Sequence, residues 1–231
     1  MNFANLKTLS RGYVPQAKVN VISNTNRDII LNEGARKVAR LTKCLPVNET
    51  FNVVADQREY DLSSVVTRYL LPDKPGLWWY DSGEWVQMIP KTKKWLDRHK
   101  PNWRDSSSGN PYYYYIDGDT LGLEPPPDTA GTDYFKFYFF QKPQQMSSNA
   151  HYPFGYDTEI SRLAGLSEAI LLYWRWKALR IVGKAKGNEI IIAKKDFYEE
   201  ITIQSKLLEE RPDISASRKT KMRPKGVPSG Y

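Results

Sequence analysis

Hydrophobic spacing changes period twice along the chain. From Asp28 to Thr42 it is helical: Ile30, Gly34, Val38 and Leu41 share one face, with Leu31, Ala35 and Ala39 beside them. Arg36, Lys37 and Arg40 take the other side. Ser23 to Asn26 offer N-cap candidates, Asp28 suits a first turn, and Pro46 closes the run. Residues 1–25 before it are mixed and polar, and predict an extended arm. From Phe51 the pattern becomes that of strands. Phe51 to Ala55 and Glu59 to Leu62 flank a turn at Asp56 to Arg58, and Tyr69 to Leu71 forms a short strand ending at Pro72. Leu77 to Tyr80 and Trp85 to Ile89 read as a hairpin around Asp81 to Glu84. A short helix over Lys91 to His99 turns Trp95 and Leu96 inward. Tyr112 to Ile116 and Thr120 to Leu123 form a second hairpin on Asp117-Gly118. Pro125 to Pro127 stop it, and Asp133 to Gln141 is an aromatic strand.

After Pro143 the helical period returns. Asp157 and Thr158 predict a cap for a helix running to Val182, with Leu163, Leu166, Ile170, Tyr173, Trp174 and Ile181 among its apolar positions. Ala169 to Trp174 is apolar without a break, which predicts a helix covered on more than one side. Asn188 caps a last helix, from Glu189 to Glu210. Ile190, Phe197, Ile201 and Leu208 share its face, and Lys195 and Glu199 pair on the other side. Pro212 ends it. The fold class is therefore α+β: a helical bundle of three main helices plus an N-terminal arm, an inserted antiparallel aromatic-rich β module, and an extended C-terminal tail. The expected division is 1–50 with 142–212 as the helical domain, 51–141 as the β insertion, and 213–231 as the tail.

Composition narrows the function. The 231 residues are 40% hydrophobic and 26% charged, enough for a packed core. One cysteine, Cys44, excludes an internal disulfide framework and a multi-cysteine zinc site; it reads as a semi-buried structural thiol. Two histidines, His99 and His151, are too few for most metal or His-based catalytic clusters. No apolar run reaches the ~18 residues of a bilayer span, and the N-terminus lacks a signal peptide, so a cytoplasm-like compartment without membrane contact is expected. The net charge is +8. Arg218, Lys219, Lys221, Arg223 and Lys225 against Asp213 give residues 212–231 a charge of +4, half of that total. Ile214, Met222, Val227 and Tyr231 add apolar anchors, a combination suited to docking in a protein groove or on a sheet edge.

Several signals read as structural. Gly183 to Gly187 resembles a phosphate loop only loosely and is taken as a helix–helix turn. The acid pairs Glu199-Glu200 and Glu209-Glu210 belong to a solvated helix face. The aromatics weigh differently. Trp78, Trp79, Trp85, Trp95, Trp103 and Tyr112 to Tyr115 all fall in the β module. Bulky residues stabilise a small sheet, yet four consecutive tyrosines cannot all face one core. Either Tyr112 and Tyr114, or Tyr113 and Tyr115, line a second face. That face meets a protein neighbour, nucleic-acid bases or sugars; Asp117, Asp119 and Glu124 nearby oppose a phosphate-tracking groove.

The ordered motifs resemble the head-to-tail adaptor (connector) proteins of tailed bacteriophages, those of short-tailed phages above all. Leu31-Asn32-Glu33-Gly34-Ala35-Arg36 is similar to the start of that family's first helix. Glu59-Tyr60-Asp61-Leu62 resembles its Y-D-L-P strand, with Ser63 where the family usually has proline. Asn110 to Tyr114 and Leu121 to Pro127 resemble its G-x-P-x-x-Y and L-x-L-x-P-x-P signature, and Tyr134 to Phe140 the aromatic strand that comes after it. The likeness covers residues 25–210, with 78–103 as a local elaboration. It implies a virion structural protein, assembled in the host cytoplasm, without enzymatic role, cofactor or metal. It implies a ring, usually twelve-fold, beneath the portal ring at the capsid vertex, continuing the channel for viral double-stranded DNA and meeting tail nozzle or fibre proteins. The portal-docking role then falls on Ile214, Arg218, Lys219, Lys221, Met222, Arg223, Lys225, Val227 and Tyr231. Packing between subunits falls on Leu166, Ile170, Tyr173, Trp174, Phe197 and Ile201, and the tail-facing surface on Trp78, Trp79, Tyr113 and Tyr115. The alternatives are a single-stranded nucleic-acid module using the aromatic sheet and basic tail, and a carbohydrate-binding module.

Overall fold

The structure is a computed structural model, and it describes residues 1–14, 21–155, 157–182 and 187–210. In chain order the elements are α1 (Phe3–Gly12), α2 (Asn24–Thr42), β1 (Pro46–Val53), β2 (Glu59–Asp61), α3 (Leu62–Val65), β3 (Tyr69–Asp81), β4 (Glu84–Gln87), β5 (Ile89–Pro90), α4 (Lys93–His99), a 3-10 turn (Trp103–Asp105), β6 (Tyr113–Asp117), β7 (Thr120–Glu124), β8 (Gly131–Gln141), a 3-10 turn (Ser161–Leu163), α5 (Leu166–Val182) and α6 (Gly187–Glu209). The fold is mixed α+β. The described chain divides into a helical unit, 1–45 with 142–210, and a β unit, 46–141.

In the helical unit α5 packs against α1, α2 and α6. That is why its apolar residues run on more than one side. Gly34 lets α2 approach α5: a Cβ there would lie 3.1 Å from the Tyr173 ring and 3.2 Å from Ile170. Asn32 is buried and fully used, accepting from the Met146 amide at 2.8 Å and donating to the Met146 and Asp28 carbonyls. The expected N-terminal arm is a helix instead. Asn2 caps α1 by accepting from the Asn5 amide at 3.0 Å, and the Phe3 amide donates to the His151 carbonyl. Phe3, Leu6 and Ser10 are buried at helical spacing. The helix expected from Asp157 begins only at Leu166, because Ile160 holds an extended conformation with φ −85° and ψ 99°.

The β unit has two four-stranded sheets, ordered β1-β8-β3-β4 and β2-β7-β6-β5. All pairings are antiparallel except the short β5–β6 pair. One aromatic core unites them, with Phe51, Leu77, Trp79, Phe135, Phe137 and Phe139 from the first sheet and Tyr60, Tyr114, Leu121 and Leu123 from the second. The first strand starts at Pro46, not Phe51. The two segments expected around Pro72 form one strand, β3, whose register shifts between Pro72 and Leu77. A proline fits in a strand at such an irregularity, where no ladder bond is lost. A second, smaller core of Leu96, Trp103 and Tyr115 includes side chains from α4, the 3-10 turn and β6. Gly122 pairs with Tyr115 across the β6–β7 ladder, and a Cβ there would lie 1.9 Å from the Tyr115 ring.

Candidate functional site

The six residues expected between subunits lie inside one chain. Leu166, Ile170, Tyr173, Trp174, Phe197 and Ile201 are all buried in the helical unit. Phe197 contacts Tyr173 at 5.4 Å between ring centroids, and burial raises the Tyr173 phenol to about 12. The single chain covers α5 because α1, absent from the expectation, supplies a fourth helix. What stays open is the far side of α6, where Ile191 is 66% and Ile203 53% exposed, with Ile192, Tyr198 and Leu207 also exposed. Lys195 and Glu199 form their i,i+4 pair there at 3.3 Å.

The four aromatics expected on the β-module surface divide. Trp79 and Tyr115 are buried and present no surface. Trp79 points into the main core; Tyr115 is covered by Trp103, whose ring meets it edge-on at 5.5 Å. Trp78 and Tyr113 are half-buried. The alternation that sends Trp79, Phe135 and Phe137 inward sends Trp78, Tyr80 and Tyr138 outward, while Tyr134 packs partly buried at the edge of the core. Trp85, opposite Tyr80 on β4, joins them with ring centroids 5.2 Å apart. Tyr80 lies 6.0 Å from Tyr134, and Trp78 lies 6.5 Å from Tyr138. The strand period carried the signal for Tyr80 and Tyr138. The nine tail residues from Ile214 to Tyr231 lie outside the described residues, as does the turn 183–186.

Tyr115 keeps a polar role. Its hydroxyl donates to Glu59 Oε1 at 2.7 Å, and Lys93 lies 3.3 Å from the same oxygen. The Tyr115 hydrogen bond, aided by Lys93, holds the Glu59 carboxyl below its usual range. A depressed carboxylate contributes stability above its unfolded pKa and loses it as pH falls through its folded pKa. In Tyr115→Phe the Glu59 titration is expected to move up toward the ordinary carboxylate value, so that this contribution is lost at a higher pH. A carboxyl-carbon NMR titration reads the shift directly, and an unchanged Glu59 curve would contradict the assignment.

Charge in the β unit is segregated. Residues 46–141 hold 14 acidic and 10 basic side chains, yet Lys91, Lys93, Lys94, Arg98, Lys100 and Arg104 fall within residues 91–104 against Asp97 alone. Thr92 caps α4 by accepting from the Trp95 amide at 3.1 Å. A buried ion pair anchors the 3-10 turn beyond α4: Arg58 Nη1 lies 2.5 Å from Glu124 Oε2, and the Glu124 side chain is 2% exposed. The same guanidinium donates to the Trp103 carbonyl and, at 3.0 Å, to Ser106 Oγ. Trp103 Nε1 donates to Asp97 Oδ1 at 2.8 Å, tying the turn back to α4.

Among the described residues no group of three or more His, Cys, Asp or Glu side chains is placed to hold a metal ion. No helix among them is long and apolar enough to cross a membrane. Cys44 is fully buried, and burial pushes its thiol up to about 11, away from reactivity. An aromatic sheet face, the uncovered side of α6 and a basic helix are thus the surfaces left outside the packed cores. The chain belongs to the SU10 adaptor protein family, whose model matches residues 1–211. It is thus a phage adaptor, a structural protein of the virion, and family membership implies contact with portal and tail proteins. No curated protein matches the chain significantly.

Proposed function

We propose that the protein forms a ring beneath the portal, joins the capsid vertex to the tail and continues the channel for viral double-stranded DNA. The observation that carries this reading, within an adaptor family, is the open side of α6. Ile191, Ile192, Tyr198, Ile203 and Leu207 leave on one helix the kind of apolar surface that a soluble chain covers with a neighbour. A heterologous contact between copies closes into a ring when its rotation permits. Subunit packing therefore moves from the buried residues of α5 and α6 to this face. The exposed rings Tyr80 and Trp85, with Trp78 and Tyr138 half-buried on the same face, turn toward tail proteins, since Trp and Tyr dominate interface hot spots. The basic segment Asp213 to Tyr231 docks on the portal, and repetition around the ring multiplies a weak single contact. Catalysis has no part in this role.

The test is light scattering with negative-stain imaging of the chain, alone and mixed with the portal ring of the same genome. The mixture is expected to yield a stacked ring. Deleting residues 213–231 is expected to abolish attachment with the circular dichroism of the helical unit intact. Ile191→Asp with Ile203→Asp is expected to leave single subunits on the portal without a closed ring. No association of the intact chain would overturn the adaptor ring; attachment undiminished by the deletion would overturn the tail's role alone.

A further inference from the structure

The outward side of α4 is the one basic surface among the described residues of an acidic unit. Outside residues 91–104 the β unit carries 13 acidic and 4 basic side chains. Within that segment, Lys93 is spent on Glu59 and Asp117, at 3.3 and 3.0 Å, and Arg104 on Asp97, at 2.6 Å. Lys94 and Arg98 are different: both are exposed, one helical turn apart, and no carboxylate among the described residues pairs with either. Lys91 lies just before the helix. Its ammonium stands 4.0 Å over the Trp95 ring and 5.9 Å from the Tyr113 ring, which holds the charge in place without neutralising it. His99 stacks on Trp95 with ring centroids 4.6 Å apart and planes 12° apart. Its Nδ1 donates to the Trp95 carbonyl at 2.9 Å, which holds the ring against the indole.

We propose that this face, formed by Lys91, Lys94 and Arg98, binds the phosphate backbone of nucleic acid. The chemistry separates this ligand from an acidic protein. A protein interface needs a buried apolar or aromatic anchor at its centre. Here α4 sends its one aliphatic residue, Leu96, wholly into the core, and Trp95 and Tyr113 are occupied by each other, by His99 and by lysines. A ligand meets fixed positive charge and little free apolar area. Phosphate chains offer the matching partner, dense negative charge without sequence demand. The acidic surroundings confine such a chain to this face. The acids Asp117, Asp119 and Glu124 lie beyond it, on β6, β7 and the turn between them, where Lys93 and Arg58 neutralise Asp117 and Glu124. The Trp-rich segment that departs from the adaptor motifs thereby acquires a use that ring formation does not require.

The experiment measures fluorescence anisotropy of labelled single strands and duplexes against the whole chain between about 50 and about 200 mM salt. The variant is Lys94→Gln with Arg98→Gln, whose side chains support nothing in the fold. The slope of log affinity against log salt is expected to shrink by about 1.8 on duplex or about 1.4 on single strands, two phosphate contacts' worth. Lys94→Arg with Arg98→Lys is expected to restore it. Comparing the two ligand arms shows which form is preferred. Because the C-terminal tail is also basic, the same pair of substitutions is made in the chain ending at Pro212, where the loss of slope must persist. An unchanged slope overturns the site, as does a slope that vanishes with the tail alone. Loss of a tail protein's binding in the Gln variant, with the nucleic-acid slope intact, overturns it in favour of an acidic protein partner. Ring assembly on the portal is scored separately and does not involve α4.

Discussion

Trp174→Ala is expected to lower the stability of the helical unit by about 3–5 kcal/mol. Trp174 is 1% exposed at the centre of α5, the helix on which α1, α2 and α6 all converge. Its indole N–H donates to the Ser10 carbonyl at 2.7 Å, in the last turn of α1. Truncation leaves a cavity and removes one of two donors to that carbonyl, which keeps the Tyr13 amide at 3.3 Å. Trp174→Phe separates the two effects: it keeps most of the volume, removes only the indole donor, and is expected to cost about 0.5–1.5 kcal/mol. Urea unfolding followed by helical circular dichroism measures both, since the β unit contributes little to that signal. Limited proteolysis should cut the alanine variant first between α1 and α2. A loss below about 1 kcal/mol for the alanine variant would show that α1 does not depend on this contact.

That contact also explains which parts of the fold the sequence revealed. The strands were legible because their signals are local. Phe135, Phe137 and Phe139 alternate with Tyr134, Lys136 and Tyr138, and Gly83 and Gly118 sit at positive φ in the two hairpin turns. The α2 and α6 faces were legible from their helical spacing. Helix α1 was not. Its buried set is Phe3, Leu6 and a serine, too sparse a pattern for a stripe, and its order comes from a tryptophan 164 residues away. Tertiary packing overrides weak propensity in such a case.

The site shows the same division. The parity of the tyrosine run was readable: Tyr113 and Tyr115 do turn away from the main core that holds Tyr114. What lies over that second face was not. It depends on Trp103 and Leu96 returning from a connection whose course no local periodicity encodes. The face was expected to be open, and a second core fills it. Likewise the apolar excess of α5 was read as a subunit interface when an unforeseen helix covers it. The open surfaces lie on the sides that the elements turn from the core: Tyr80 and Trp85 on the sheet, with Trp78 and Tyr138 half-buried beside them, and Ile191 and Ile203 on α6.

Arg58→Ala is expected to cost about 3–5 kcal/mol in the β unit, because it leaves a buried carboxylate unpaired. Glu124 is 2% exposed, and its remaining partners are Ser106 Oγ at 3.1 Å and Lys100 at 3.9 Å. Neither replaces a guanidinium at 2.5 Å. The loss extends beyond the pair, since Arg58 also satisfies the Trp103 carbonyl and lies 5.2 Å from the Trp103 ring. Releasing Trp103 uncovers Tyr115 and loosens the Asp97 link to α4, so the basic face loses its support as the core opens. Removing both charges behaves differently. Arg58→Met with Glu124→Leu eliminates the desolvation cost along with the attraction, and is expected to recover most of the single-variant loss. Thermal unfolding of the wild type, Arg58→Met, Glu124→Leu and the double variant, followed by near-ultraviolet dichroism from the Trp103 environment, gives the coupling directly. A double variant no more stable than the Arg58 single variant would show that the Glu124 carboxylate left unpaired carries no penalty, and would overturn the expected loss.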